Sequence, residues 1–315
     1  MEKRTYRAVF FDLDGTLLPM DVDDFMKRYF AALGGYVARM GIATDQFMAG
    51  MKRGITAMAA NDSGHANAES FWLEFLACID MPEGVTADTL QAAIDLPDGV
   101  TPDTLTDAIT DFYENEFGKL GDDVEPNPAA ARAINALAAK GYPLVLATMP
   151  MFPRRAVEWR LTWAGVDPAA FARITTYENS TAVKPKPNYY AENLAAAGVD
   201  GRDVLIVGNN TKEDLAACQL GCDAFLVTDF LIDPVGFEVF SVRHGSLEKF
   251  ADWVETLPVC GDPAQGVNDA LVPAAARERA LAANGIEDGA AGGAKTLEEA
   301  GRSGGASFVI NGMED

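Results

Sequence analysis

The spacing of hydrophobic positions changes character twice along the chain. Ala8-Val-Phe-Phe11 is a solid apolar run, too short for a helix and rich in aromatic and β-branched residues, so it predicts a buried strand. From Asp21 to about Gly118 the spacing is helical. Phe25, Tyr29, Leu33 and Tyr36 share one face, and Phe47, Met51, Ile55 and Met58 share another. Phe71, Trp72, Phe75 and Leu76 follow, then Leu105, Ile109, Phe112 and Phe117. Breaks at Gly34-Gly35, Asn61 to Gly64, Pro82 to Gly84 and Pro97 to Gly99 divide this region into helices. After Pro126 short apolar runs alternate with helical stretches. Leu144–Thr148, a weak Arg173–Thr176, Val204–Val207 and Ala224–Val227 read as strands. Asn127–Lys140, Pro153–Trp163, Pro187–Ala197, Thr211–Leu220 and Ser246–Leu257 read as the helices between and after them. Such alternation predicts an α/β fold, a doubly wound and mainly parallel sheet with helices on both faces.

The domain organisation follows. Residues 1–19 and 122–259 form the α/β core, and 20–121 form an inserted α-helical domain. Residues 260–315 form an extension in which 23 of 56 residues are alanine or glycine and only Ala270 to Ala283 looks helical. That composition predicts a poorly ordered tail or a loosely docked segment.

Composition narrows the function. A chain of 315 residues exceeds what one core usually serves. The formal charge of −22 argues against non-specific nucleic-acid binding, which needs a basic face. It also requires that an anionic substrate be drawn in by a local group of cations. Of the four cysteines only Cys218 and Cys222 are close, and with two histidines in the chain reduced thiols fit better than a zinc site. Met1-Glu-Lys-Arg4 leads into the first strand without a signal-peptide apolar region, and no apolar run approaches membrane-spanning length. The expectation is a soluble cytoplasmic protein without a membrane partner.

Candidate chemistry begins where the first strand ends. Asp12 and Asp14 follow Phe11 directly, and Gly15 lets the chain turn sharply. Doubly wound sheets place their ligands beyond the carboxyl ends of their strands. Two carboxylates there must meet solvent, a cation or a substrate, because an unpaired buried carboxylate is too costly. Thr148 ends the second strand. Taken alone it reads as a buried threonine satisfying a nearby backbone group. Lys184 precedes Pro185 and Pro187 in a loop, where a lysine is ordinarily just solvated. Val207-Gly-Asn-Asn-Thr-Lys-Glu-Asp214 follows another strand.

Together, Asp12-x-Asp14-Gly-Thr, strand-end Thr148, Lys184-Pro-x-Pro187 and the 207–214 stretch resemble the four motifs of the haloacid dehalogenase superfamily. The resemblance covers roughly residues 6–257 and puts the insert where that superfamily carries its helical cap. It implies a Rossmann-like core and hydrolysis of a small phosphorylated metabolite with Mg2+ as cofactor. Asp12 is then the nucleophile that forms an aspartyl-phosphate, and Asp14 the general acid and base. Thr148 and Lys184 hold the transferring group, and Asp12, Asp14, Asn209 and Asp214 serve the metal. The superfamily usually has an acid where this chain has Asn209, which predicts weaker magnesium binding. Relatives that cleave carbon–halogen bonds lack the second aspartate of the first motif, so Asp14 argues for phosphate esters. A phosphonate-cleaving relative needs a cap lysine, for which Lys52 is the candidate. A third reading is a binding protein that keeps the pocket without turnover. Arg154 and Arg155 could add positive charge near Thr148, although a solvated helix face suits both better. Arg39, Lys52, Arg53 and His65 are the insert's polar candidates for a substrate contact, and Lys186 is a second candidate for the loop lysine. Asp21, Asp23 and Asp24 read best as a helix start.

Overall fold

The computed structural model describes residues 5–78 and 102–286. The breaks expected at Pro82–Gly84 and Pro97–Gly99, the side chain of Leu105 and the chain beyond 286 lie outside the described residues.

Six strands among the described residues form one parallel sheet: β1 (Ala8–Phe11), β2 (Leu144–Leu146), β3 (Arg173–Ile174), β4 (Val204–Gly208), β5 (Asp223–Val227) and β6 (Arg243–Gly245). Their spatial order is β3-β2-β1-β4-β5-β6, so the chain winds outward from β1 in both directions. Strand alternation sorts the side chains onto two faces. Val9, Phe11, Leu144, Leu146, Leu205 and Val207 face one layer, and Ala8, Phe10, Val145, Ala147, Val204 and Ile206 face the other. The first layer contains α5 (Pro128–Ala139), α6 (Arg154–Trp163) and α8 (Leu247–Glu255). The second contains α7 (Pro187–Ala197), a 3-10 segment over Asp214–Leu220 and α9 (Ala274–Ala283). The helix expected over Thr211–Leu220 is therefore shorter and more tightly wound.

The insert supplies α1 (Val22–Arg39), α2 (Thr44–Ala60), α3 (Asn67–Ala77) and α4 (Pro102–Asp111). Asp21 caps α1, its carboxylate accepting the Asp24 N–H at 2.9 Å. The apolar faces read from the sequence are the buried ones: Phe25, Tyr29, Leu33, Phe47, Met51 and Met58 are all at most 5% exposed. Phe25 and Phe117 pack against Phe152 and Trp163, so insert and core share one apolar cluster. No helix among the described residues is long and apolar enough to cross a membrane.

The extension does not hang free as far as it is described. α9 packs on α7, with Leu281 1% and Arg277 6% exposed. Arg173 donates to the carbonyls of Asn268 and Ala270 at 3.0 and 2.9 Å, tying the preceding segment to β3.

Candidate active site

Register decides which residues meet. Phe11 pairs with Leu146 of β2 and Val207 of β4, so the three strands end level. Asp12, Thr148 and Asn209 therefore emerge at one sheet edge. Asp12 N–H donates to Val207 O at 2.8 Å, which fixes the start of the following turn. Leu13 O then accepts from Thr16, Leu17 and Leu18, and Gly15 takes a positive φ of 77°. A side chain at Gly15 would run into the Asn209 carboxamide, so glycine is required by space as well as by conformation.

Lys184 sits at the centre. Its Nζ lies 2.7 Å from Asp12 Oδ1 and 2.7 Å from Asp214 Oδ1. Burial works against the ammonium, but the two carboxylates outweigh it and hold the group well above the ordinary lysine range. The other oxygen of Asp214 accepts the Asn210 N–H at 2.9 Å. Burial pushes this carboxyl up to about 6, with Lys184 opposing. Asp214 thus stands behind Lys184 and aims it. A Cβ at Gly208 would collide with this carboxylate, so the strand end must be glycine for Asp214 to fit.

Thr16 Oγ1 lies 3.1 Å from Asp12 Oδ2 and 3.2 Å from Asn209 Oδ1. Asn209 Nδ2 donates to Phe230 O at 2.6 Å, which leaves its carbonyl oxygen facing the Thr16 hydroxyl. Two oxygens, one carboxylate and one carboxamide, thereby converge on the same hydroxyl.

Asp14 has a partner no motif announced. Arg160 Nη1 lies 2.5 Å from Asp14 Oδ2, and the arginine side chain is 1% exposed. Arg160 stacks over Phe152, with its guanidinium carbon 4.6 Å from the ring centroid. Burial raises the Asp14 carboxyl above the usual range against the pull of Arg160. Its Oδ1 is buried without a hydrogen-bond partner, as is Thr148 Oγ1. Thr148 gives its backbone carbonyl to Thr175 and Tyr189, while its hydroxyl satisfies nothing. The plain reading of a threonine tied to local backbone therefore does not hold.

The loop carrying Lys184 is fastened from three sides. Thr181 donates through N–H and hydroxyl to Glu192 of α7 at 3.0 and 2.8 Å. Arg277 of α9 donates to the same hydroxyl at 3.1 Å. From the insert, Asn67 Nδ2 reaches Pro150 O and Ala182 O at 3.1 and 3.2 Å, joining this loop to the one after β2.

Asp12, Asp14, Thr148 and Asn209 open into a cavity of about 350 Å³ that Glu213 also lines. Burial pushes the Glu213 carboxyl up to about 7. Among the described residues no three Asp, Glu, His or Cys side chains gather as a metal cluster. The oxygens of Asp12 and Asn209, which face one hydroxyl at the edge of this cavity, still fit a hard cation. Magnesium needs only a few protein oxygens because it keeps several waters. A separate apolar cavity near Met26, Tyr29 and Phe152 is about 30 Å³, room for little more than a water.

The sequence candidates divide cleanly. Asp12, Asp14, Thr148, Lys184, Asn209 and Asp214 come together, with Asp214 turned toward Lys184 and away from the cavity. Lys186 points elsewhere, its Nζ 2.8 Å from Asn61 O. Arg154 pairs with Glu158 and Asp269, and Arg155 with Glu114. Arg53 pairs with Glu74 and His65 with Glu69, and neither Arg39 nor Lys52 lines the 350 Å³ cavity. Asp21 and Asp23 do line it, besides starting α1. Sequence reasoning missed Arg160 and gave Thr16 no role. One signal was available for Arg160: it interrupts the apolar face formed by Ala156, Val157, Leu161 and Ala164.

The sequence matches the haloacid dehalogenase-like hydrolase family over residues 6–220. Comparison with curated proteins finds no match. Among solved structures, a predicted phosphoglycolate phosphatase from Haemophilus somnus is similar at 17% identity and TM-score 0.45, over 80% of this chain and 99% of the other. CbbY from Rhodobacter sphaeroides in complex with phosphate is similar at 19% identity and TM-score 0.47, over 78% and 96%. An L-2-haloacid dehalogenase is similar at 16% identity and TM-score 0.46, over 79% and 99%.

Proposed function

The chain belongs to the haloacid dehalogenase-like hydrolases, and on that premise we propose that it is a magnesium-dependent phosphatase of a small phosphorylated metabolite. The observation that carries this reading is the placement of Asp14 in the same cavity as the Lys184-paired Asp12. Cleaving an ester of phosphate expels an alkoxide that must be protonated, whereas a halide leaves without a proton.

In this reading Asp12 attacks phosphorus in line with the leaving oxygen and becomes an aspartyl-phosphate. Lys184, held by Asp214, offsets the charge of the carboxylate and of the incoming phosphoryl oxygens. The Thr148 hydroxyl donates to one of those oxygens. Asp14, steadied by Arg160, protonates the leaving oxygen and then takes a proton from the water that attacks the phosphorylated Asp12. Asp12 and Asn209 would hold magnesium, which supplies further neutralisation of the transferring group. The helical insert serves as a cap that keeps bulk water out and shapes substrate choice.

Hydrolysis of an aryl phosphate with an uncharged aryl group, across a magnesium titration, tests the reading, with Asp12→Asn alongside. Phosphate release that needs magnesium and disappears in Asp12→Asn supports it. Release of halide from a haloacid without added metal, and no phosphate release, would contradict it.

A further inference from the structure

The walls of the catalytic cavity differ from its floor. The buried Asp12, Thr148 and Asn209 lie on one side, while Met20, Val22, Met149 and the half-exposed Phe230, Leu231 and Ile232 supply apolar lining. Phe230, Leu231 and Ile232 are 40%, 38% and 39% exposed, an unusual outlay of apolar surface for a loop. They are held in place. Ile232 N–H donates to Asn209 O and Thr211 N–H donates to Ile232 O, both at 2.9 Å. The Thr211 hydroxyl ties down Asp233 at 2.6 Å. The apolar wall is thus pinned to the same loop that positions Asn209.

Charge adds a second constraint. Among the described residues no lysine, arginine or histidine lines the cavity, but Asp21, Asp23 and Glu213 do. The two cations beneath it are committed, Lys184 to Asp12 and Asp214 and Arg160 to Asp14. Three buried carboxylates against two buried cations leave no spare positive charge for a second anionic group. The unpartnered Thr148 hydroxyl, itself fully buried, marks the floor as the place for an anionic oxygen.

We propose that the substrate is a phosphate monoester of an apolar alcohol that carries no second anionic group, and that an ammonium group on the alcohol improves it. This rests on the phosphatase reading above and names the substrate class of that site. The phosphoryl group takes the floor, the apolar body lies against Phe230, Leu231 and Ile232, and the ammonium meets Asp21 and Asp23 at the mouth.

The test uses phenyl phosphate and its 4-carboxy and 4-aminomethyl derivatives. Binding of each to the full-length Asp12→Asn protein is measured by calorimetry, and turnover of each by wild type is measured separately. The 4-carboxy ester is expected to bind about tenfold more weakly than phenyl phosphate and the 4-aminomethyl ester more tightly, as unit charges a few Å apart in partly solvated space require. Asp21→Asn with Asp23→Asn should collapse that spread, and asparagine at 21 still caps α1. Phe230→Ala should weaken phenyl phosphate several-fold and leave methyl phosphate unaffected. Equal binding of the three esters, binding of none, or a spread unchanged in the double variant would overturn the proposal. Correctly ordered binding without wild-type turnover would support the substrate class while refuting the phosphatase reading.

Discussion

Arg160 Nη1 and Asp14 Oδ2 are 2.5 Å apart, joining the apolar face of α6 to the second carboxylate of the strand-end pair. A buried arginine stacked on Phe152 has few rotamers open to it, so it fixes where the Asp14 carboxyl points. Removing one member of a buried pair leaves the other charge unpaired, which costs about 3–5 kcal/mol. Arg160→Ala is therefore expected to lower the melting temperature sharply. Arg160→Lys, which keeps the charge, should restore part of it. If Arg160 serves Asp14 as described, the Lys variant will lose more kcat on alkyl phosphates than on nitrophenyl phosphate, whose leaving group needs little protonation. Equal losses on both would show that Arg160 does not act through protonation of the leaving group.

Asn209 offers an oxygen without a charge. Asn209→Asp should lower the magnesium concentration for half-maximal activity by about tenfold or more, the scale on which changes around metal ligands act. A magnesium titration of both proteins checks this. An unchanged requirement would place the cation away from residue 209. The new carboxylate must also accept the proximity of Phe230 O, where the carboxamide now donates, so the variant is expected to be somewhat less stable.

Glu192 of α7 gives a pH signature far from the reacting atoms. Burial pushes its carboxyl from 4.5 up to about 7, against two hydrogen bonds from Thr181. Between those values the folded chain keeps a proton that the unfolded chain has released. The contribution of this group to stability is thus highest below about pH 4.5 and declines as pH rises toward 7. The loss is on the order of 3 kcal/mol, from the ~1.4 kcal/mol that one pKa unit represents. Melting temperature should fall more steeply from about pH 5 to about pH 8 in wild type than in Glu192→Gln. Parallel slopes would refute the assignment.

How much of this was legible in the sequence depended on whether side-chain pattern or partner fixed each element. β1, β2 and β4 are buried apolar runs, and their strand-end residues supplied the site. β6 was not foreseen, because Arg243-His-Gly245 has no apolar pattern and is a strand through its pairing with β5. Alanine and glycine content suggested a poorly ordered tail or a loosely docked segment, and of this segment α9 packs on α7 with Leu281 and Arg277 buried. Arg160 showed only as a charge on the apolar face of α6, because its partner Asp14 lies 146 residues earlier in the chain. Asp214 was legible as a site residue, but its orientation behind Lys184 comes from the Asn210 N–H that it accepts.

The seating of α9 can itself be tested. Leu281 is 1% exposed against the second face of the sheet layer. Leu281→Ala should cost about 2–5 kcal/mol, as cavity-forming core substitutions do. Denaturant unfolding of the full-length variant measures it. A change within about 0.5 kcal/mol, typical of surface substitutions, would mean that α9 does not stay docked in solution.

The central claim is that Asp12 carries the phosphoryl group during turnover. The most direct measurement is mass analysis of the peptide containing Asp12 after acid quenching with a saturating aryl phosphate and magnesium. Asp14→Asn is the protein of choice, since slowed dephosphorylation lets the intermediate accumulate. A gain of one phosphoryl mass on Asp12 is expected, absent in the doubly substituted Asp12→Asn, Asp14→Asn protein. Phosphorylation of another residue, or wild-type rates of phosphate release from Asp12→Asn, would contradict it.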